Sequence, residues 1–96
     1  MRNYFWSKEK NNWLKFNRNI SFEDIVEAIG NGFLVRIENH HNPVKFPNQK
    51  LLIIRLRNYI YVVPYVKNDK TYFLKTIFAD RKRNKKYLKT NESKTK

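Results

Sequence analysis

The chain has 96 residues and a mass of 11.8 kDa, which leaves room for one folded domain and excludes a second. Apolar residues make up 41% of the sequence and aromatic residues 16%, enough to bury a modest core. The 21 Lys and Arg residues against 8 Asp and Glu residues give a formal net charge of +13. This balance favours a polyanionic partner, either nucleic acid, an acidic protein or an anionic membrane surface.

The sequence also lacks features that several classes of protein require. The sequence has no cysteine and only two histidines, so we expect no disulfide, no metal site and no cofactor. No apolar run reaches the length of a membrane span, and the first residues lack the apolar core of a signal peptide. We therefore expect a cytoplasmic protein with no membrane partner.

Two helices are predicted in the first third of the chain. After a short strand or anchor at residues 4–6, Ser7 is a suitable N-cap for a helix over residues 8–17. Ser21 and Asp24 have the spacing of a capping box for a second helix. The apolar residues of that helix recur on one face: Phe22, Ile25, Val26 and Ile29. Gly30 is suited to the left-handed position that ends it.

The remaining elements are predicted to be mainly strands. Residues 33–38 alternate as a half-buried strand with Phe33, Val35 and Ile37 on one side, and an irregular loop follows at residues 39–49. Strands are then predicted over residues 51–57 and 59–66, with a tight turn near Asn58, and over residues 72–78.

Asp80 is a candidate N-cap for a short basic helix that ends near Leu88. Residues 89–96 have almost no apolar side chains, which predicts a mobile basic tail. The expected fold class is α+β: two N-terminal helices on one face of an antiparallel sheet of about four strands, with a short basic C-terminal helix. Residues 1–88 would form the single domain.

The positive charge is concentrated near the C-terminus, where residues 81–96 hold eight Lys or Arg residues. Such a segment can bind phosphates, or it can serve only as a solubilising tail. On the sheet, arginines could lie among Tyr59, Tyr61 and Tyr65 and form a surface that stacks bases; the alternative is that these tyrosines pack against a helix. The candidate RNA-binding residues are Arg55, Arg57, Lys75, Lys82, Arg83, Lys85 and Lys86.

Metal-independent RNA cleavage needs a base, an acid and cations around the phosphate. Histidine side chains in general change charge near neutral pH, so His40 and His41 could transfer protons, although loop histidines are more often simply exposed. Arg81 or Lys82 could bind the phosphate, with Lys45 or Tyr87 completing the set. No spacing rule makes this constellation specific.

Three motifs follow one another along the chain. They are Phe5-Trp6-Ser7-Lys8-Glu9-Lys10-Asn11, then Arg18-Asn19-Ile20-Ser21-Phe22-Glu23-Asp24, and finally Ile77-Phe78-Ala79-Asp80-Arg81-Lys82 with Tyr87 after it. Their order resembles that in the BrnT family of toxins. The resemblance extends from about Tyr4 to Leu88. It implies a RelE-like fold and a type II toxin that inhibits translation by cleaving RNA without a metal ion.

The resemblance also implies a partner, an antitoxin of the BrnA type with a ribbon-helix-helix fold, in a complex that binds operator DNA. Arg81 matches the arginine of the family's late motif, and Lys67 falls where the family often has an arginine. The candidate catalytic residues are therefore Arg81, His40, His41, Lys67 and Tyr87. Two alternatives stay open, a non-catalytic nucleic-acid binder and a protein that only docks on an acidic antitoxin.

Overall fold

The first two helices begin where local sequence signals place them. In the computed structural model, which describes residues 3–87, helix α1 spans Lys8–Arg18 and helix α2 spans Phe22–Gly30. The Ser21 hydroxyl accepts from the Asp24 amide at 3.1 Å, and the Asp24 carboxylate accepts from the Ser21 amide at 3.0 Å. The predicted capping box is thus confirmed. The sequence could predict it because the motif joins residues only three positions apart.

The end of α2 differs from the prediction. Gly30 is still helical, Asn31 is the C-cap, and the positive φ of 86° belongs to Gly32. The chain therefore reverses two residues later than expected, at the glycine that the turn into the next strand requires.

Within residues 3–87, six strands form one sheet. They are β1 (Asn3–Trp6), β2 (Leu34–Asn39), β3 (Gln49–Leu56), β4 (Tyr59–Asn68), β5 (Thr71–Leu74) and β6 (Phe78–Ala79). The order is β1-β5-β4-β3-β2, and β6 pairs with β4. The α+β class is confirmed, but the sheet is larger than predicted and mixed, since β1 pairs in parallel with β5. Such short strands carry little periodic signal, and this pairing joins segments far apart in sequence.

The β3–β4 hairpin follows its local turn signal, whereas the last predicted strand is divided. Arg57 and Asn58 both have positive φ, 53° and 62°, as a two-residue hairpin turn requires. The expected strand over residues 72–78 is instead β5 and β6, separated at residues 75–77. The break lies beside Pro64, whose carbonyl accepts from the Lys75 amide at 2.8 Å but which has no N–H to donate in return.

The two faces of the sheet have separate cores. Helices α1 and α2 cover one face, where Leu14, Phe22 and Ile25 are fully buried against alternate residues of β3 and β4. The C-terminal helix α3, residues 81–87, lies over the opposite face. The buried residues there are Leu51, Ile53, Ile60 and Val62, with Phe78 and Tyr87 packed against them.

The start of α3 confirms the predicted cap. The Asp80 carboxylate accepts from the Arg83 amide at 2.9 Å. Leu88, where this helix was predicted to end, and the predicted mobile tail over residues 89–96 lie outside the described residues. Within residues 3–87, no helix is both long enough and apolar enough to cross a membrane.

Strand β2 departs from the predicted alternation at its start. Its register with β3 shifts between Leu34 and Arg36, so Val35 is an extra residue in a β-bulge. Leu34 packs against the core, whereas Val35 and Ile37 are 40% and 39% exposed. The bulge puts Ile37, which pairs with the core residue Leu52, on the same face as Leu34, although strict alternation would separate them. Nothing in the local alternation shows the bulge.

Asn11 connects the two N-terminal helices and provides a test of their packing. It is 4% exposed, its Oδ1 accepts from the Phe22 amide at 2.8 Å, and its Nδ2 donates to Glu23 at 2.7 Å. We expect Asn11→Ala to lower the free energy of unfolding by about 1–3 kcal/mol, because a buried amide loses its acceptor. Urea denaturation measures this, with Asn12→Ala at the exposed neighbouring position as the control. Equal unfolding midpoints in the two variants would contradict the assignment.

Candidate nucleic-acid interface

A cleft lies at one end of the sheet, between the loop over residues 40–48 and the β4–β5 turn. The pairing of Asn39 with Lys50 and of Gln49 with Val66 brings these connections together. The residues that line this loop cleft are Asn39, His40, Pro43, Pro47, Asn48, Gln49, Lys50, Val66, Lys67 and Asn68. Two candidate catalytic residues, His40 and Lys67, therefore share one cleft although 27 positions separate them.

A second cleft adjoins the first on the α3 side of β2. It is lined by Arg36, Ile37, Glu38, Asn39, Lys50 and Lys86, so that Asn39 and Lys50 line both clefts. We call the two together the basic groove. Its four cations, Arg36, Lys50, Lys67 and Lys86, come from β2, β3, β4 and α3. Such an arrangement can follow a phosphate backbone through charge alone.

The acidic residue of the groove is already bound by the fold. Glu38 accepts from Arg83 Nη2 at 2.8 Å and from the Tyr87 hydroxyl at 3.0 Å. Arg83 Nη1 also donates to Asp80 at 2.6 Å. We call these four residues the Arg83 cluster. It attaches α3 to strand β2 and neutralises the carboxylate that would otherwise repel a phosphate in the groove.

The pKa values of the cluster reflect its charge-assisted hydrogen bonds. The hydrogen bond from Arg83 lowers the pKa of Glu38, and the bond from Tyr87 adds to the effect. Burial opposes ionisation of Asp80, but hydrogen bonds from the Arg83 amide and guanidinium outweigh it and hold the pKa of Asp80 below its usual value. Glu38 in turn raises the pKa of Arg83. All three groups are therefore charged near neutral pH.

Two sequence-predicted functional residues thus have a structural role. The Arg83 guanidinium is shared between two carboxylates, and the Tyr87 hydroxyl donates to one of them. The other predicted RNA-binding residues of α3, Lys82, Lys85 and Lys86, have exposed side chains, and Lys86 lines the groove.

His40 is held by its own loop. Its Nδ1 accepts from the Asn42 amide at 3.0 Å, and its ring lies 4.5 Å from the His41 ring and 4.6 Å from the Phe46 ring. Desolvation lowers the pKa of His40, and the neighbouring His41 lowers it further. The neutral ring then carries its proton on Nε2, where it can donate a hydrogen bond. His41 is exposed and does not line the loop cleft.

Arg81 lies at the other end of the sheet. The Asp80 amide donates to the Ile60 carbonyl at 3.0 Å, which places the start of α3 beside the start of β4. Lys67 is seven residues further along β4, a distance of about 23 Å at the rise of an extended strand. The structure therefore brings His40 and Lys67 together but does not bring Arg81 to them.

The expected surface of arginines among tyrosines is not formed. Tyr61 pairs with Ile54 and packs with Tyr65 on the α1/α2 face, whereas Arg55 pairs with Ile60 on the opposite face. Arg57 lies in the hairpin turn rather than in the strand, and its guanidinium donates to the Asn19 carbonyl at 2.7 Å and to Asp24 at 3.3 Å. Tyr61 and Tyr65 instead pack on the side of the sheet that the helices cover, as the alternative prediction had it. The even spacing of Tyr61 and Tyr65 predicted that they share one face of the sheet, but it did not predict which face.

Sequence analysis did not identify Arg36, Glu38 or Lys50 as parts of the site. Alternation does place Arg36 and Glu38 on one face of β2, and that was the available signal. The sequence did not show which face of the sheet α3 covers, because that depends on contacts between residues 45 positions apart, such as Arg83 and Glu38.

The chemistry of the groove is that of a phosphate-binding surface, with ammonium and guanidinium groups and one imidazole N–H. Residues 3–87 contain no group of three or more His, Asp or Glu side chains arranged to hold a metal ion. Comparison of the chain with models of known protein families, with curated proteins and with solved structures gave no match.

Proposed function

We propose that this protein is an RNA-binding toxin that cleaves RNA without a metal ion and so inhibits translation. The observation that carries the proposal is the basic groove, in which Lys50, Lys67 and His40 meet at one end of the sheet. The formal net charge of +13 supports an RNA partner, and the resemblance of the motifs to the BrnT family supports the toxin role.

The groove residues suit the charge that develops on a phosphate during cleavage. Attack of a ribose 2′-hydroxyl on the adjacent phosphorus, with its proton passing to water, forms a pentacoordinate phosphate, and fixed donors around it stabilise its additional negative charge. The P–O5′ bond then breaks, which leaves a 2′,3′-cyclic phosphate and a 5′-oxygen that takes a proton from water. Lys67 and Lys50 supply ammonium groups, and His40 supplies an Nε2–H donor. In this role His40 binds the phosphate rather than removing the hydroxyl proton.

A second candidate function is a non-catalytic RNA-binding protein. The observation that favours it is the hydrogen bond from the Asn42 amide to His40 Nδ1, at 3.0 Å. A ring with Nδ1 accepting and Nε2 protonated cannot accept a proton until that bond breaks. Binding without cleavage needs only the cations of the groove.

RNA incubation in excess EDTA distinguishes the two candidates. We expect the wild type to cut total RNA and leave 2′,3′-cyclic phosphate ends, and Lys67→Ala to reduce the rate at least tenfold because a donor to the transition state is lost. His40→Ala and Arg81→Ala test the imidazole and the distant arginine in the same assay. Lys8→Ala, an equal loss of charge at an exposed position on α1, is the control.

Each outcome of the assay is informative. Intact RNA both in solution and on translating ribosomes, with affinity retained, would contradict the toxin and support the non-catalytic binder. Loss of cleavage in Arg81→Ala, with Lys67→Ala unaffected, would move the reacting phosphate from the groove to the start of α3.

The proposed toxin would be inhibited by an antitoxin, which the resemblance implies to be a BrnA-like ribbon-helix-helix protein. An acidic antitoxin segment lying along the basic groove would neutralise the cations and exclude RNA at the same time. We expect that complex to weaken as salt rises, because its contacts with exposed lysines are screened. A complex whose affinity is indifferent to salt would contradict this arrangement.

A further inference from the structure

Among the residues that the structure describes, helix α3 covers one half of its face of the sheet. Below it are the buried residues of β3 and β4, whereas the half formed by β5 and β1 carries two large exposed aromatic side chains. Phe5 is 52% exposed and Phe73 is 40% exposed. Exposed aromatics that adjoin each other on a sheet indicate a binding surface more often than isolated ones do.

The register places the two phenylalanines side by side. Phe5 of β1 is the direct partner of Phe73 of β5, and Phe73 is in turn the partner of the half-buried Val66 of β4. The flanking residues Tyr4 and Tyr72 pack into the core on the other face, so alternation directs both phenylalanines to this face. The result is an apolar row across three adjacent strands.

A cation adjoins the row. Lys75 Nζ lies 5.1 Å from the centroid of the Phe73 ring. An exposed cation–π contact of this kind is weaker than the stacking of a nucleobase on an aromatic ring. A base that stacks on Phe73 can therefore displace the lysine, whose flexible side chain is then available to bind the adjacent phosphate.

We propose that Phe5 and Phe73 form a stacking platform for two bases of single-stranded RNA, with Lys75 binding the phosphate. The proposal rests on the proposed RNA-binding function and specifies the form of RNA, because the bases of a duplex are stacked on one another and not available to the platform. A second copy of this chain is disfavoured as the occupant, since each copy carries a formal net charge of +13.

The test measures binding without cleavage. The probe is a fluorescently labelled 2′-O-methyl oligouridine of 12 nucleotides, which lacks the 2′-hydroxyl nucleophile, and the readout is anisotropy at fixed salt. We expect the Phe5→Leu/Phe73→Leu double variant to bind roughly tenfold or more weakly, because leucine keeps apolar area but has no flat ring face. Phe73→Tyr keeps the ring face and should bind like the wild type.

Two controls isolate stacking from other effects. Phe16→Leu changes a phenylalanine that is 90% exposed on α1, and we expect it to leave affinity unchanged. An abasic oligonucleotide of the same length retains the phosphates only, so the wild type and the double variant should bind it equally. Circular dichroism and sedimentation check that each variant is folded and has the same oligomeric state.

The platform and the proposed function fail in different ways. Equal affinity of the wild type and the double variant for oligouridine would overturn the platform. An equal loss of affinity for the abasic probe, or a change of the double variant from dimer to monomer, would also overturn it. Cleavage of total RNA in EDTA is measured separately. A wild type that binds oligouridine through the phenylalanines but leaves all RNA intact would keep the platform and overturn the catalytic function.

Discussion

Arg83→Ala is expected to lower the free energy of unfolding by about 2–3 kcal/mol at pH 7. The guanidinium of Arg83 is 2.8 Å from Glu38 and 2.6 Å from Asp80, and the side chains of all three residues are at most 25% exposed. Without the arginine, Asp80 loses its ion-pair partner, Glu38 keeps only the longer contact with Arg36 at 4.0 Å, and helix α3 loses its main polar connection to β2. The measurement is urea denaturation followed by circular dichroism.

The same cluster gives the fold a dependence on pH with a defined sign. The pKa values of Glu38 and Asp80 are lowered in the folded protein from ordinary values of 4.5 and 3.8. Their contribution to stability is therefore complete above those ordinary values and is lost as the pH falls through the lower folded values. We expect the wild type to lose stability steeply between about pH 5 and pH 2, and Arg83→Ala to lose less over that interval.

Arg55→Ala is the matched control for both measurements. Arg55 lies on the same face of the sheet, but its guanidinium donates to the amide oxygen of the exposed Asn58 at 3.1 Å rather than to a carboxylate. We expect its unfolding free energy and pH profile to stay close to those of the wild type. An Arg83→Ala variant as stable as Arg55→Ala, or with an unchanged acid profile, would contradict the role of the Arg83 cluster.

The largest expected effect on function is that of removing three lysines from the basic groove. Lys50→Ala, Lys67→Ala and Lys86→Ala in one chain should weaken binding of single-stranded RNA about 100-fold at 0.1 M salt. Each phosphate contact contributes about 0.7 to the slope of log affinity against log salt concentration, so the slope should decrease by about 2. Anisotropy titrations at several salt concentrations measure both quantities.

An equal change of charge on another surface is the control for the groove. Lys8, Lys10 and Lys15 all lie on α1 and line neither of the two clefts that form the groove. Replacement of these three by alanine should change the salt slope by much less. If both triple variants lose affinity equally, the net charge of the chain rather than the groove binds RNA, and the groove would not be the site.

The sequence by itself determined those parts of the fold that depend on neighbouring residues. The capping box of Ser21 with Asp24, the cap at Asp80 and the turn at Asn58 all lie where the sequence predicted them. Each of these features closes a hydrogen bond or sets a dihedral angle within four residues, so the local residue types suffice to specify it. The α+β class follows from the same local information, because it depends on the types and order of the elements.

Only the tertiary structure decided which side chains meet. The bulge at Val35 put Leu34 and Ile37 on the same face of β2, and the register of β3 with β4 placed Arg55 and Tyr61 on opposite faces. The parallel pairing of β1 with β5 brought Phe5 beside Phe73. These outcomes depend on contacts between segments dozens of residues apart, and a shift of one residue exchanges the two faces of a strand. Sequence therefore predicted the excess of basic and aromatic residues and identified His40, Lys67 and Lys86, whereas only packing brought Arg36 and Lys50 into the groove and Phe5 beside Phe73.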